Sequence, residues 1–174
     1  IPVTATRFTM IVYPDSVIYC CDRTDGDAQP AGVWKNSSLE TACKYLTENF
    51  DSKLSAGVLW EIKKEGKSLS EIVTMASLIE REVRTLEDKK MVSGVLWKRM
   101  DVGMPLQVDA SIVYLTGKTS GKVLYEDLKI ESPYNTYLNG GLPIGPISNP
   151  GLESILAAVY PEPSDYLYYL SKPT

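Results

Sequence analysis

Glu80 and Glu82 are the residues of this chain best placed by type and spacing to do acid–base chemistry. They lie in Ser68-Leu-Ser-Glu-Ile-Val-Thr-Met-Ala-Ser-Leu-Ile-Glu-Arg-Glu-Val83, where Ile72, Ala76, Ile79 and Val83 recur at the spacing of one helical face. At about 100° per residue the two glutamates fall on opposite edges of that stripe and meet different surroundings. Glu80 has Arg84 four residues ahead, the favourable order for a helical ion pair, which accounts for it without any chemistry. Glu82 has Leu78, Ile79, Thr85 and Leu86 at three and four residues and Met75 a further turn back, with no cation in helical reach. An apolar setting disfavours the charged carboxylate and raises its pKa, the property a general acid needs. The plain alternative is a solvated glutamate on a helix flank.

The rest of the composition narrows the chemistry. Histidine is absent, so Ser-His and Cys-His catalysis, histidine metal sites and histidine proton transfer are excluded together, and carboxylates must carry any acid–base role. Three cysteines, two of them the adjacent Cys20 and Cys21, suit neither a zinc site nor a disulfide framework, and Cys43 falls in a helical pattern. A net charge of -4 and the lack of any basic stripe argue against a nucleic-acid partner. No phosphate-binding glycine loop is present. No apolar run is long enough to span a bilayer, and no leader pattern opens the chain. With 174 residues and 44% hydrophobic content, one substantial core is the expectation.

The elements that must position Glu82 follow from periodicity. Val3 to Tyr13 and Val17 to Cys21 predict strands joined through Pro14-Asp15-Ser16, followed by a polar loop to Ala31. From Ser37 the period becomes helical: Ser37 and Glu40 suggest a capping box, and Leu39, Ala42, Cys43, Leu46 and Phe50 form one face. A second helix through Leu54, Val58, Leu59 and Ile62 should end at Gly66. The Glu82 helix starts at Ser68, with Glu71 completing its capping box, and a fourth helix through Val92, Val95, Leu96 and Met100 stops near Gly103. Asp109 reads as the N-cap of a short helix ending at Gly117. Residues Ser132 to Gly151 hold four prolines and four glycines, too many for a regular element. Asn149-Pro150 then suits a helix start, and Tyr166 to Leu170 reads as a closing strand.

Five segments taken in order, Ala76-Ser-Leu-Ile-Glu-Arg-Glu82, Gly103-Met-Pro-Leu-Gln-Val-Asp109, Ser132-Pro-Tyr-Asn-Thr-Tyr137, Gly141-Leu-Pro143 with Gly145-Pro-Ile147, and Asn149-Pro-Gly151, resemble the catalytic domain of the endolytic murein transglycosylases, the MltG/YceG-like family. The similarity reaches more weakly back to Ser37 and departs from the family pattern at Ala110 and Ile144, where proline is usual. The resemblance implies an α+β fold, a helical middle packed with short strands at both ends. Residues 1–35 would form an unassigned β-rich segment and residues 36–174 the catalytic domain.

It also implies a bacterial lyase that cuts nascent peptidoglycan glycan strands internally and leaves 1,6-anhydroMurNAc ends. That activity would be membrane-anchored on the extracytoplasmic face, with peptidoglycan synthases as partners and no metal or organic cofactor. The family's catalytic glutamate, the second of Glu-x-Glu, falls on Glu82. By the same resemblance Gln107, Asp109, Asn135 and Tyr137 contact substrate. Read without it, Gln107 is a solvated loop residue, Asp109 an N-cap, and the tyrosines of Ser132–Tyr137 loop anchors. The aromatic run Tyr166 to Tyr169 reads as strand packing. A peptidoglycan-binding or divisome-scaffolding domain without turnover is the alternative function. A two-carboxylate glycosidase using Asp109 beside Glu82 is a third reading.

Overall fold

The computed structural model describes residues 50–118 and 122–170. Both amino-terminal strands, and the helix from Ser37 up to its last turn, lie outside the described residues. Those described form α1 (Ala56–Lys64), α2 (Leu69–Glu82), α3 (Leu86–Asp101), α4 (Asp109–Thr116), a 3-10 turn (Asp127–Lys129) and α5 (Leu152–Val159).

Helix boundaries follow the local chemistry. Ser55 caps α1 by accepting from the Val58 amide. Ser68 and Glu71 form the full reciprocal box at the start of α2, and Thr85 caps α3. Such caps satisfy amides that have no partner within the helix and are worth about 1 kcal/mol each. The predicted stop of α4 falls at Gly117, which takes the left-handed φ of 66° that only glycine adopts without strain.

α2 is the central element. Every residue from Ile72 to Ile79 is buried, and the helix packs most extensively against α5, then against α3, α4 and α1. Burying each large aliphatic side chain is worth about 1.5–3 kcal/mol, so Ile72, Val73, Met75, Leu78 and Ile79 fix the axis of α2. The carboxyl at its last residue inherits that rigidity. Ser77 ties the long loop across the helix: its hydroxyl accepts from the Ile147 amide at 3.0 Å, and its carbonyl accepts from Ser148 Oγ at 2.9 Å. Trp97 Nε1 donates to the Ala158 carbonyl at 3.0 Å and joins α3 to α5.

Five expectations are corrected. The described residues contain no β-strand, so the short strands of the α+β expectation are not found there. Tyr166 to Leu170 is the end of an irregular arm, residues 161–170, because its side chains and carbonyls are engaged by α2 and α3 rather than by a neighbouring strand. Leu59 is 45% exposed and lies off the core face of α1. α5 begins at Leu152 with Gly151 at its N-cap, two residues after Asn149-Pro150.

Glu80 is the fifth correction. α2 ends at Glu82 and Val83 is extended, so Arg84 is not on the same helix and the predicted ion pair does not form. Instead Glu80 Oε2 accepts from Lys89 Nζ at 3.3 Å, from the Gly151 amide at 3.2 Å and from Ser154 Oγ. It thus serves the amino end of α5 from outside that helix and pairs with Lys89, which is 6% exposed. Glu80→Ala is expected to lower unfolding free energy by about 2 kcal/mol, since it takes the acceptor from the buried Ser154 hydroxyl and one of two carboxylate partners from the buried Lys89. Activity per folded molecule should be unchanged. Denaturant titration beside a specific-activity measurement checks both statements.

Candidate active site

Glu82 stands where four pieces of chain meet. It is the last residue of α2, and its carboxyl faces the amino end of α4, where the nearby Ala110 amide favours its charged form. From the arm, the Tyr169 hydroxyl donates to Glu82 Oε2 at 3.0 Å. Tyr137, in the long loop, donates its hydroxyl to Asp109 Oδ1. The site therefore contains two phenol–carboxylate pairs, Tyr169–Glu82 and Tyr137–Asp109, close enough for the two carboxylates to interact.

The balance of forces on Glu82 favours the protonated acid. Burial is the largest influence and raises the pKa above the usual carboxyl range. The Tyr169 hydrogen bond opposes it, the Asp109 charge adds to it, and the Ala110 amide opposes it again. Both phenols are pushed the other way from ionisation. Burial first, then proximity to Asp109, raises Tyr137, and burial first, then the Glu82 charge, raises Tyr169. They remain donors across the accessible pH range. The arrangement holds one carboxyl that can give a proton and then, as a carboxylate, find donors already in place.

The sequence-predicted residues separate into two groups. Glu82, Asp109 and Tyr137 come together. Asp109 is the first residue of α4 rather than its N-cap, which is Val108 with no side-chain cap, so its carboxylate is free to take the Tyr137 proton donor. Gln107 shares the turn that leads into α4, with an exposed side chain and a φ of 49°. Among described residues no other non-glycine has a positive φ, a strain of order 1–3 kcal/mol. Its amide donates to the Thr136 carbonyl at 2.9 Å, and the flanking Leu106 and Val108 are buried, so the turn is held from both sides.

Asn135 stands behind the site. It is fully buried, and its amide nitrogen donates to the Leu128 and Ile130 carbonyls at 2.9 and 2.8 Å while Oδ1 accepts from the Tyr137 amide at 2.9 Å. Its carboxamide is thus committed to the loop and fixes the backbone that carries Tyr137.

Sequence reasoning missed two residues, Tyr169 and Arg99. Arg99, 6% exposed on α3, donates from Nε to the Leu167 carbonyl and from a terminal nitrogen to the Leu106 carbonyl, both at 2.6 Å, while its guanidinium lies 5.1 Å from the Tyr168 ring centre. One side chain thus holds the arm two residues before Tyr169 and the turn one residue before Gln107. The signal available in the sequence was the arginine within the buried stripe of a helix, a residue type that is buried only when paired. Glu82 and Tyr169 also border a groove of about 1340 Å³ between the arm and the start of α3, with Arg81 and Arg84 on its wall. That volume exceeds the usual small-molecule pocket and suits an extended ligand. No helix among the described residues is long and apolar enough to cross a membrane.

The chain is similar in sequence and in fold to known proteins. The sequence model of the YceG-like family matches residues 32–174. An endolytic murein transglycosylase of Bacillus subtilis is 42% identical over 137 residues, covering 79% of this chain. One of Streptococcus pneumoniae is 33% identical over 159 residues, covering 87%. The chain spans 38% and 29% of those two proteins. A crystallised yceG-like protein of Listeria monocytogenes superposes with a TM-score of 0.71 at 40% identity, covering 80% of this chain and 46% of its own. The chain belongs to the YceG-like family.

Proposed function

We propose that this chain carries the catalytic centre of an endolytic peptidoglycan lytic transglycosylase with Glu82 as its acid and base. The observation that carries the reading is a single shielded carboxyl, raised in pKa by burial and ringed by donors, in a chain of a family whose named relatives are murein transglycosylases.

An ordinary glycosidase needs two carboxyls, because one must act as nucleophile or activate water. In the lytic reaction the sugar supplies its own nucleophile. Glu82 protonates the glycosidic oxygen between MurNAc and GlcNAc as that bond breaks. Its carboxylate then takes the proton of the MurNAc C6 hydroxyl as O6 bonds to C1, which closes the 1,6-anhydro ring and restores the acid. Asp109, engaged with Tyr137, serves as a neighbouring charge that favours the protonated form of Glu82. Tyr137 and the exposed Gln107 amide supply hydrogen bonds to sugar hydroxyls and N-acetyl groups. The activity operates outside the cytoplasmic membrane on an anchored protein, beside the synthases that make the strands.

Mass spectrometry of uncrosslinked glycan strands incubated with the chain tests this. Anhydro-ended fragments support it, whereas reducing-ended fragments would point to a hydrolase. Strand binding without products would leave a binding domain. Gln107→Gly separates substrate contact from backbone shape. Glycine accepts the left-handed φ, so stability should hold or rise by up to about 1 kcal/mol. Cleavage should still fall about tenfold through the lost side-chain hydrogen bond.

A further inference from the structure

Tyr169 belongs to an arm without regular secondary structure, yet its hydroxyl is aimed at Glu82 Oε2 at 3.0 Å. Tyr166, Tyr168 and Leu170 are 77%, 69% and 100% exposed, whereas Tyr169 turns inward against the core. The arm is held in register by Arg99 at Leu167 and by the Glu162 amide, which donates to the Lys90 carbonyl at 3.0 Å. Two anchors on α3 therefore deliver one hydroxyl to the end of α2.

We infer that Tyr169 is a positioning residue for the Glu82 cycle: its hydroxyl holds the carboxyl in one orientation and stabilises the carboxylate left behind by the first proton transfer. This rests on Glu82 being the acid and base. A phenol donates more strongly to a carboxylate than to a neutral acid, so the bond strengthens as the proton leaves. Burial first, then the Glu82 charge, keeps the Tyr169 proton in place, so it donates and is not itself consumed. The other groups facing Glu82 are Asp109 and the Ala110 amide on α4, Tyr137 in the loop and, through its charge on both phenols, Arg99 on α3. Of the side chains among them, Tyr169 bonds the Glu82 carboxyl directly.

The test is Tyr169→Phe, which keeps the ring and removes only the hydroxyl, read by carbon NMR titration of labelled glutamate carboxyls. The Glu82 pKa is expected to rise by about one unit, because the ionised form loses its donor. Arg99→Lys keeps the charge but cannot reach both carbonyls, and it should shift Glu82 in the same direction by a smaller amount. In cleavage assays kcat should fall about tenfold with KM unchanged, and the alkaline limb of the rate profile should move up with the pKa. A packing role would leave that limb where it was. An unchanged or lowered Glu82 pKa in folded Tyr169→Phe overturns the inference. Because the titration does not depend on cleavage, an inactive parent with the expected shift would instead count against the proposed reaction.

Discussion

Glu82→Gln is expected to lower cleavage of uncrosslinked glycan strands by about 10³-fold, the contribution of a well-placed general acid and base. Glutamine keeps an oxygen for Tyr169 and the Ala110 amide, so fold and strand binding should survive. Stability separates this from a structural role, through its sign. The folded pKa of Glu82 is raised, so the folded state binds the proton more tightly than the unfolded chain does. Stability from this group is therefore fully present below the unfolded value, about 4.3, and is lost as pH rises through the folded value. At pH 7 the parent retains a disfavoured buried charge that glutamine lacks. The variant should unfold at the same or a higher denaturant concentration at pH 7, and the difference should shrink toward pH 4. Anhydro products at the parent's rate would remove Glu82 from the mechanism. A variant markedly less stable at pH 7 would show that the carboxylate serves the fold.

Much of the frame around that glutamate was legible, because it rests on local rules. Ser68 and Glu71 announced the start of α2, Gly117 the end of α4, and the spacing of Ile72, Ala76 and Ile79 the buried face. The apolar setting of Glu82 followed from its helical neighbours, although the burial that raises its pKa also comes from the arm and α4. The contact with the arm joins residues 87 positions apart, and no periodicity reports it. Glu80 shows the same limit. Its helical partner seemed to be Arg84, but the helix ends two residues earlier than that pairing needs, and its partners come from α3 and the start of α5.

The arm was the least legible part for a related reason. Alternating aromatic residues such as Tyr166 to Tyr169 carry strand propensity, and propensity is a statement about neighbours a strand would have. Here the neighbours are an arginine and a glutamate on two helices. Asn135 reads as a ligand for sugar in a motif and as a loop anchor in three dimensions, because only burial distinguishes a carboxamide facing substrate from one facing carbonyls.

Gly94→Ala should have the largest effect of any single-methyl addition on both stability and activity. A Cβ at Gly94 would lie 1.8 Å from the Glu162 carbonyl oxygen and 3.0 Å from its carbon, so the arm's backbone crosses α3 where only hydrogen fits. Something must move, and the flanking Ser93, Val95 and Leu96 are buried while much of the arm is exposed, so the arm yields. Displacing it strains the Glu162–Lys90 and Arg99–Leu167 bonds and withdraws Tyr169 from Glu82. Unfolding free energy should fall by about 1–3 kcal/mol, the usual cost of overpacking. The Glu82 pKa should rise as in Tyr169→Phe, and the arm should become more sensitive to limited proteolysis. Gly57→Ala is the control. Its Cβ meets nothing closer than Ser55 Oγ at 3.8 Å, so the better helix propensity of alanine should stabilise α1 by up to about 1 kcal/mol and leave cleavage unchanged. Parent-like stability and an equally protected arm in Gly94→Ala would mean that the arm does not run over α3, and the delivery of Tyr169 to Glu82 would have to be abandoned with it.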